Sequence, residues 1–582
     1  MSNSTSDNTK SKYSFLLKFE DYWAIWLGAI ILIFSMFLFF ANPPANMDKI
    51  IADSNATMQA EAERAPFKTI AWIEASDKKA GLKGTSASAA KSVSKYFATP
   101  GTWSSDNPLK SFYLSSSDAK AKSEASAAKY EKAKAAASEA KALAVQAEKA
   151  AEAAGFQDSA LNQEAKTQIA AWQKAKADAS KAKTSAETKP YNRVSTMIPL
   201  MIVLALMFGV GKRFMGESMG KFLMAFPAVF IVAALAFFLG GHEFAKAWGL
   251  EYVMWAILLG FLISNTIGTP KWIMPAVQTE YYIKTGLVLL GATILINKMM
   301  IIGIPGVFVT WVVTPIVLIT TFWFGQKILK MPSPTLNMVI SADMSVSGVS
   351  AAISAAAACR AKKEELTLAV GISITFTAIM MVAMPLMIKA LGLNPVLGGA
   401  WIGGTVDSTG AVVAAGEILG PVARDVAATI KMIQNIMIGL MAFCIAAYWA
   451  LKVDVDSSKA DLKVSSAMRE IWNRFPKFVL GFLGASVVFT LIYSGMGTDG
   501  ANVLIDNGTS KFLGSLQKWF FALAFASIGL STNFRELAKY FKGGKPAILY
   551  VCGQSFNIAL TFTMAYIMFM KVFPGITASL MQ

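Results

Sequence analysis

Asp343 and Asp407 stand inside long apolar runs, each surrounded by small hydroxyl and glycine residues. The first lies in Asn337–Arg360, NMVISADMSVSGVSAAISAAAACR, among Ser341, Ser345, Ser347, Gly348 and Ser350. The second lies in GGAWIGGTVDSTGAVVAAGE, beside Thr405, Ser408, Thr409 and Gly410. An ionisable side chain in hydrocarbon costs roughly 2.5–3.5 kcal/mol or more, so it calls for a polar partner or a water-filled cavity. Small residues let helices approach closely and let a helix unwind where it lines a cavity. A pair of interrupted hydrophobic segments of this kind points to a transporter's binding site. The chemistry open to them is ion binding. Asp343 and Asp407 can bind Na⁺ with backbone carbonyls, or carry protons. Half-helix N-termini present free N–H groups and partial positive charge, which suits a carboxylate, sulfonate or sulfate. Ser345, Ser347, Ser350, Thr405, Ser408 and Thr409 can add hydroxyl donors. Lys431, set well inside a late span, can balance an aspartate or face the anion. For any one serine, a bond back to its own helix is the plainer alternative.

The composition supports that setting. The chain has 582 residues, 54% of them hydrophobic, and a mean hydropathy of +0.47. Only 16% are charged, against about 25% in an average soluble domain. The net charge of +17 sits mostly in connectors, where it fits loops facing anionic lipid rather than nucleic acid. His242 is the single histidine, which excludes a multi-histidine metal site within one chain. Cys359, Cys444 and Cys552 imply no disulfide framework. No G-x-x-x-x-G-K-[ST] loop is present, so an ATP-driven pump in one chain is not indicated.

Elements that position these residues follow from hydropathy. A polar start, 1–22, precedes a first span at 23–41, expected to be retained as a helix. Residues 42–194 differ completely: they are rich in Ala, Lys, Ser and Glu, strong helix formers broken at Gly155, and predict an antiparallel hairpin packed through alanine. Phe67, Trp72, Tyr96, Phe97 and Trp103 are expected to fold against it. Residues 195–582 read as the transporter core, giving about thirteen spans in all. Lys212, Arg213, Lys327, Lys330, Lys452, Lys459, Arg535 and Lys539 then share one side, the cytoplasm, with the N-terminus inside and the hairpin outside. The expected fold is an all-α polytopic membrane protein with inverted repeats and two broken helices crossing at mid-membrane.

The text NTIGTPKWIMPAVQTEYYIKTGLVLLGATILI, then SGVSAAISAAAACRAKKEE, GTVDSTGAVVAAG, the Lys431 region and ASIGLSTNFRELAKYFKGGKP resembles, in order, the YeiH family of sulfate exporters. That family is related more distantly to cation/proton antiporters and sodium-coupled anion symporters. The resemblance covers roughly Pro227 to the C-terminus and implies inverted repeats with broken helices and an anion-export activity. This chain departs from the pattern in three places. Ser347-Gly348-Val349-Ser350 stands for Cys-Gly-Ala-Ser, Asp407-Ser408 for His-Glu, and Gln434 for an Arg three residues after Lys431. Two anion partners are lost and a carboxylate is gained, which moves the site away from sulfate itself; Gln434 is kept as a candidate substrate contact.

The expected function is secondary transport of a small anion of the sulfate, sulfonate or carboxylate class, coupled to Na⁺ or H⁺. No cofactor beyond Na⁺ and no nucleic-acid partner are expected. The lipid bilayer of a bacterial inner membrane is the expected surrounding, and the fold resemblance allows a homodimer. Two alternatives belong to other classes. One is an intramembrane enzyme using Ser345 or Ser347 with Lys431 as base. The other is a membrane-embedded scaffold or sensor whose helical hairpin binds a partner.

Overall fold

The computed structural model describes residues 14–247, 250, 252–293, 296–449, 476–537 and 544–581. The basic connector residues from Lys452 to Arg474, with Lys539 and Lys542, lie outside them. The chain divides into two compact units: residues 33–200 with 491–515, and residues 1–32, 201–490 and 516–582. Eight described helices are long and apolar enough to cross a membrane, and three shorter apolar helices accompany them. The first of the eight, α1 (Glu20–Phe40), starts with Glu20 and Asp21 in its first turn, where carboxylates complement the helix dipole.

The hairpin unit is built from α2 (Met47–Arg64), α3 (Ile70–Ala80), α4 (Ser116–Ala153) and α5 (Ser159–Ala186). Ser115 caps α4 by accepting from Asp118 N, and Asp158 caps α5 by accepting from Ala160 N and Leu161 N. Gly155, with φ +59°, turns the chain between them. The hairpin packs through alanine as expected at Ala144, Ala151 and Ala165, all fully buried. It is also nailed by Ile169 and Trp172, which join Ile70 and Ile73 of α3 in one cluster with Phe67 and Trp72 against it. Phe97 goes elsewhere, edge-on to Phe512 with ring centroids 5.0 Å apart. A two-stranded ribbon, Tyr113–Leu114 with Tyr191–Asn192, ties the two ends of the hairpin antiparallel. Trp172 is 3% exposed. Trp172→Ala is therefore expected to destabilise this unit by about 3–5 kcal/mol, seen as early loss of helical circular dichroism.

The chain goes on through α6 (Val194–Phe214), which belongs to the other unit from Met201, and then α7 (Met219–Gly240), α8 (Tyr252–Thr266), α9 (Thr279–Thr293), α10 (Ile296–Val307) and α11 (Val313–Lys327). Two interrupted elements follow. In the first, α12 (Pro334–Ala342) opens into a π-helical turn, Asp343–Ser347, before α13 (Val349–Ala358). In the second, α15 (Pro395–Thr405) stops at Val406 and α16 (Thr409–Leu419) restarts after Ser408. Between and after them come the long helices α14 (Lys363–Ala390) and α17 (Pro421–Tyr448). Each of the two interrupted segments expected from the sequence is thus a pair of half-helices. The chain closes with α18 (Phe478–Ala501), α19 (Ser510–Ser531), α20 (Lys545–Tyr566) and α21 (Pro574–Met581).

Glycines hold α15 against α17. A Cβ on Gly399 would lie 2.4 Å from the Ala423 carbonyl oxygen, and one on Gly403 would lie 2.7 Å from that of Ala427. Backbones approach this closely only without side chains between them. Gly399→Val should cost about 1–3 kcal/mol through overpacking and lower the thermal midpoint of the detergent-solubilised protein.

Candidate functional site

The two interruptions meet. Gly348 takes φ +61° and ψ −132°, a conformation open to glycine and strained for other residues. Its missing Cβ would sit 3.2 Å from Asp407 Cβ. The first halves of both elements end here with carbonyls that no helical N–H can reach. Lys431 of α17 supplies the donors. Its fully buried ammonium donates to Val346 O at 2.7 Å, Val406 O at 2.8 Å and Gln434 Oε1 at 2.8 Å. Gln434 Nε2 lies 3.2 Å from Ser345 O and 3.3 Å from Gly404 O. One positive charge therefore stands where two helix C-termini converge, the end that favours cations. Lys431 and Gln434, taken from the sequence as candidate substrate contacts, turn toward the protein's own carbonyls.

Both aspartates are buried and held on one side. Asp343 Oδ1 accepts from Ser373 Oγ at 2.7 Å, while its Oδ2 has no hydrogen-bond partner among the described residues. Asp407 Oδ2 accepts from the Tyr550 hydroxyl. Thr405 is buried beside the break, with its hydroxyl also unpartnered among the described residues. Ser345 bonds back to Ala342 O at 3.3 Å, the ordinary behaviour of a helical serine.

The second halves open on a cavity of about 300 Å³. Ser347, Gly348, Val349 and Ser350 line it from the start of α13, and Ser408, Thr409 and Ala411 from the start of α16. Ser408 caps α16 by accepting from Ala411 N at 3.3 Å, and Asn435 Nδ2 donates to Thr409 Oγ1 at 3.1 Å. A Cβ on Gly410 would lie 3.8 Å from Ile528 and Thr279, which also line the cavity. Of the ten candidate substrate residues, Ser347, Gly348, Ser350, Ser408 and Thr409 thus line one cavity, and Gly410 follows Thr409 in α16. The helix C-termini and Lys431 lie behind them.

Sequence reasoning missed two groups. Tyr550, Gln554 and Asn557 of α20 all reach the breaks: beside the Tyr550 bond, Gln554 Nε2 donates to Thr405 O and Asn557 Nδ2 to Met344 O, each at 3.0 Å. Their spacing of four and three puts them on one face of an apolar helix, a readable signal. The other is Lys284 of α9, which lines the cavity with Thr279 and Glu280. Its ammonium lies 2.8 Å from Glu20, 2.9 Å from Asp21 and 3.8 Å from Glu280. The contact with Glu280, one helical turn back, is the longest of the three.

Among the described residues no group of three His, Cys, Asp or Glu side chains is placed to hold a metal ion.

A helical chain whose described residues hold eight long apolar helices, with two broken elements joined through a buried lysine, is an all-α polytopic membrane protein. Residues 223–550 match the family described as Conserved hypothetical protein 698. A UPF0324 membrane protein of Nitratidesulfovibrio vulgaris is 56% identical over 100% of this chain and 99% of its own length. A UPF0324 membrane protein of Rhodopirellula baltica is 55% identical over 66% of this chain and 70% of its own. The UPF0324 membrane protein TauZ of Paracoccus pantotrophus is 27% identical over 60% of this chain and 96% of its own. The chain belongs to this UPF0324 family, the one its motifs resemble. No solved structure matches it.

Proposed function

We propose that this protein is a secondary active transporter of a small anion of the sulfate, sulfonate or carboxylate class, coupled to Na⁺ or H⁺ through Asp343 and Asp407. The observation that carries the reading is the polarity of the crossing. Two half-helix N-termini with their hydroxyls face a cavity, while the two C-termini behind them are closed by Lys431. Such N-termini favour an anion. The unpartnered Asp343 Oδ2 and the tyrosine-bound Asp407 support a coupling role for the two carboxylates. Alternating access then consists of one helical set rocking against the other around the breaks. The bacterial inner membrane is the proposed location, with the N-terminus cytoplasmic, by the distribution of Lys and Arg in short connectors.

The reaction is transport rather than bond chemistry. All three donor positions of Lys431 are engaged with oxygens of the protein, so this lysine is not free to act as the base that a serine nucleophile needs.

Thermal unfolding of the purified protein against sulfate, methanesulfonate and acetate, each in Na⁺, in K⁺ and at two pH values, tests the reading. A ligand at 100-fold its dissociation constant stabilises by about 2.7 kcal/mol. Stabilisation by one of the three anions, sharpened by Na⁺ or dependent on pH, is expected. Indifference to all conditions would contradict the assignment.

One feature favours a second reading, a membrane-embedded sensor working through its hairpin. A cleft of about 340 Å³ between α4 and α5 is lined by Lys134, Lys141, Lys176, Lys183 and Trp172. Deleting Ala45–Lys189 separates the two readings, since a transporter with an accessory hairpin keeps its uptake.

A further inference from the structure

Among the described residues one lysine lines the cavity at the crossing, and its ammonium is already paired. Lys284, in the first turns of α9, lines the cavity together with Ser347, Ser350, Ser408 and Thr409. Its side chain is 17% exposed. The two closest charges on it come from the start of α1, Glu20 at 2.8 Å and Asp21 at 2.9 Å. Asp21 is fixed in turn, its Oδ2 accepting from Lys477 N at 2.7 Å. The Phe478 ring lies on another side of the ammonium, with its centroid 5.8 Å away. Glu280, one helical turn back, adds a third carboxylate at 3.8 Å.

Three carboxylates around one ammonium exceed what charge balance needs. A partly buried lysine is stabilised by a first carboxylate, whereas each further one brings repulsion between the acids. That mutual repulsion makes any one carboxylate easier to displace than in a one-to-one pair. The incoming group would enter a cavity lined by Lys284 and by the first residues of α13 and α16. It would have to be compact, singly or doubly charged and rich in acceptor oxygens, as a carboxylate or sulfonate is. The acids that hold the lysine belong to α1, which lies outside the family-matched stretch 223–550.

We propose that Lys284 is the cation that selects anions in this cavity, and that Glu20 and Asp21 of the first helix are internal anions that it exchanges for the substrate. This rests on the reading of the cavity as an anion site. It adds a role for α1 within the transport cycle: while Glu20 and Asp21 hold Lys284 its ammonium is engaged, and when substrate takes the lysine the N-terminal end of α1 is released.

The local field can be read without knowing the substrate. Ser350 is exposed in the cavity wall. In full-length protein with Cys359, Cys444 and Cys552 changed to serine, Ser350→Cys is labelled in parallel by an anionic sulfonate thiosulfonate reagent and by its quaternary-ammonium counterpart. The ratio of the two rates reports the charge met by an anion. Neutralising the pair by Glu20→Gln with Asp21→Asn should raise the anion-to-cation ratio about tenfold, and Lys284→Gln should lower it about tenfold. Lys284→Arg should restore it. The decisive combination is Glu20→Gln, Asp21→Asn and Lys284→Gln together. With no ammonium to free, the gain should disappear, a non-additivity that independent charges would not produce. An equal gain with and without Lys284 overturns the exchange, as does an unchanged ratio or a cavity cysteine that neither reagent reaches. Uptake of sulfate and methanesulfonate by the same variants, with Ser350 restored, separates this from the transport reading. The labelling pattern without any uptake would sink transport alone, and uptake without the pattern would sink the exchange alone.

Discussion

Lys431→Met is expected to lower the unfolding free energy by about 3–5 kcal/mol, the range for removing one partner from a buried charged network, and to abolish uptake. Methionine keeps the length and apolar stem of the lysine, so the change isolates the three donors. Without them Val346 O, Val406 O and Gln434 Oε1 lose their partner. Each unsatisfied buried acceptor costs about 1–3 kcal/mol. The loss falls where two helix C-termini bring partial negative charge together, so repulsion adds to desolvation. Gln434 holds neighbouring carbonyls through its own amide, which limits the damage to local opening rather than global collapse. The measurement is a thermal melt in detergent beside uptake in liposomes. A variant that melts with the parent would show that Lys431 does not hold the crossing together.

Asp343→Asn and Asp407→Asn should each cut uptake at least about 100-fold while leaving the melting point within a few degrees, because a buried carboxylate in a membrane protein is retained for its charge. The shapes are conserved. In Asp343→Asn the amide oxygen can still accept from Ser373, and in Asp407→Asn it can still accept from Tyr550. What is removed is the negative charge and the ability to take up a proton or a cation. Equilibrium binding separates the two effects: if these residues bind the coupling ion, the variants lose the Na⁺ or pH dependence of anion binding before they lose anion binding itself. Parental uptake by both variants would remove the proposed roles.

Much of this site was legible in the chain, and the reasons are specific. A carboxylate amid Ser and Gly in hydrocarbon is too costly to be incidental, so Asp343 and Asp407 marked both breaks. The α4–α5 hairpin was legible because strong helix formers surround a single Gly155. Partners distant in sequence were not. Lys284 has Glu280 one turn away, and local spacing suggests that pair. Its closer contacts, with Glu20 and Asp21, join residues more than 260 positions apart. Lys431 was recognisable as buried, but burial does not say whether an ammonium faces a substrate or a carbonyl. That depends on where two half-helices end, which local pattern does not register. Tyr550, Gln554 and Asn557 carried a face pattern on α20 without a charge to draw attention to it. Phe97 went to Phe512 because an aromatic ring carries no address in its local sequence.

The most direct test of the central claim is uptake of radiolabelled sulfate and methanesulfonate into liposomes holding the purified protein. An inward Na⁺ gradient or an inward proton gradient is imposed, each against a matched control without a gradient. Transient accumulation above equilibrium, driven by one of the two gradients and absent with Asp343→Asn, is the predicted result. Equilibration at the rate of empty liposomes, under both gradients and for both anions, would contradict it.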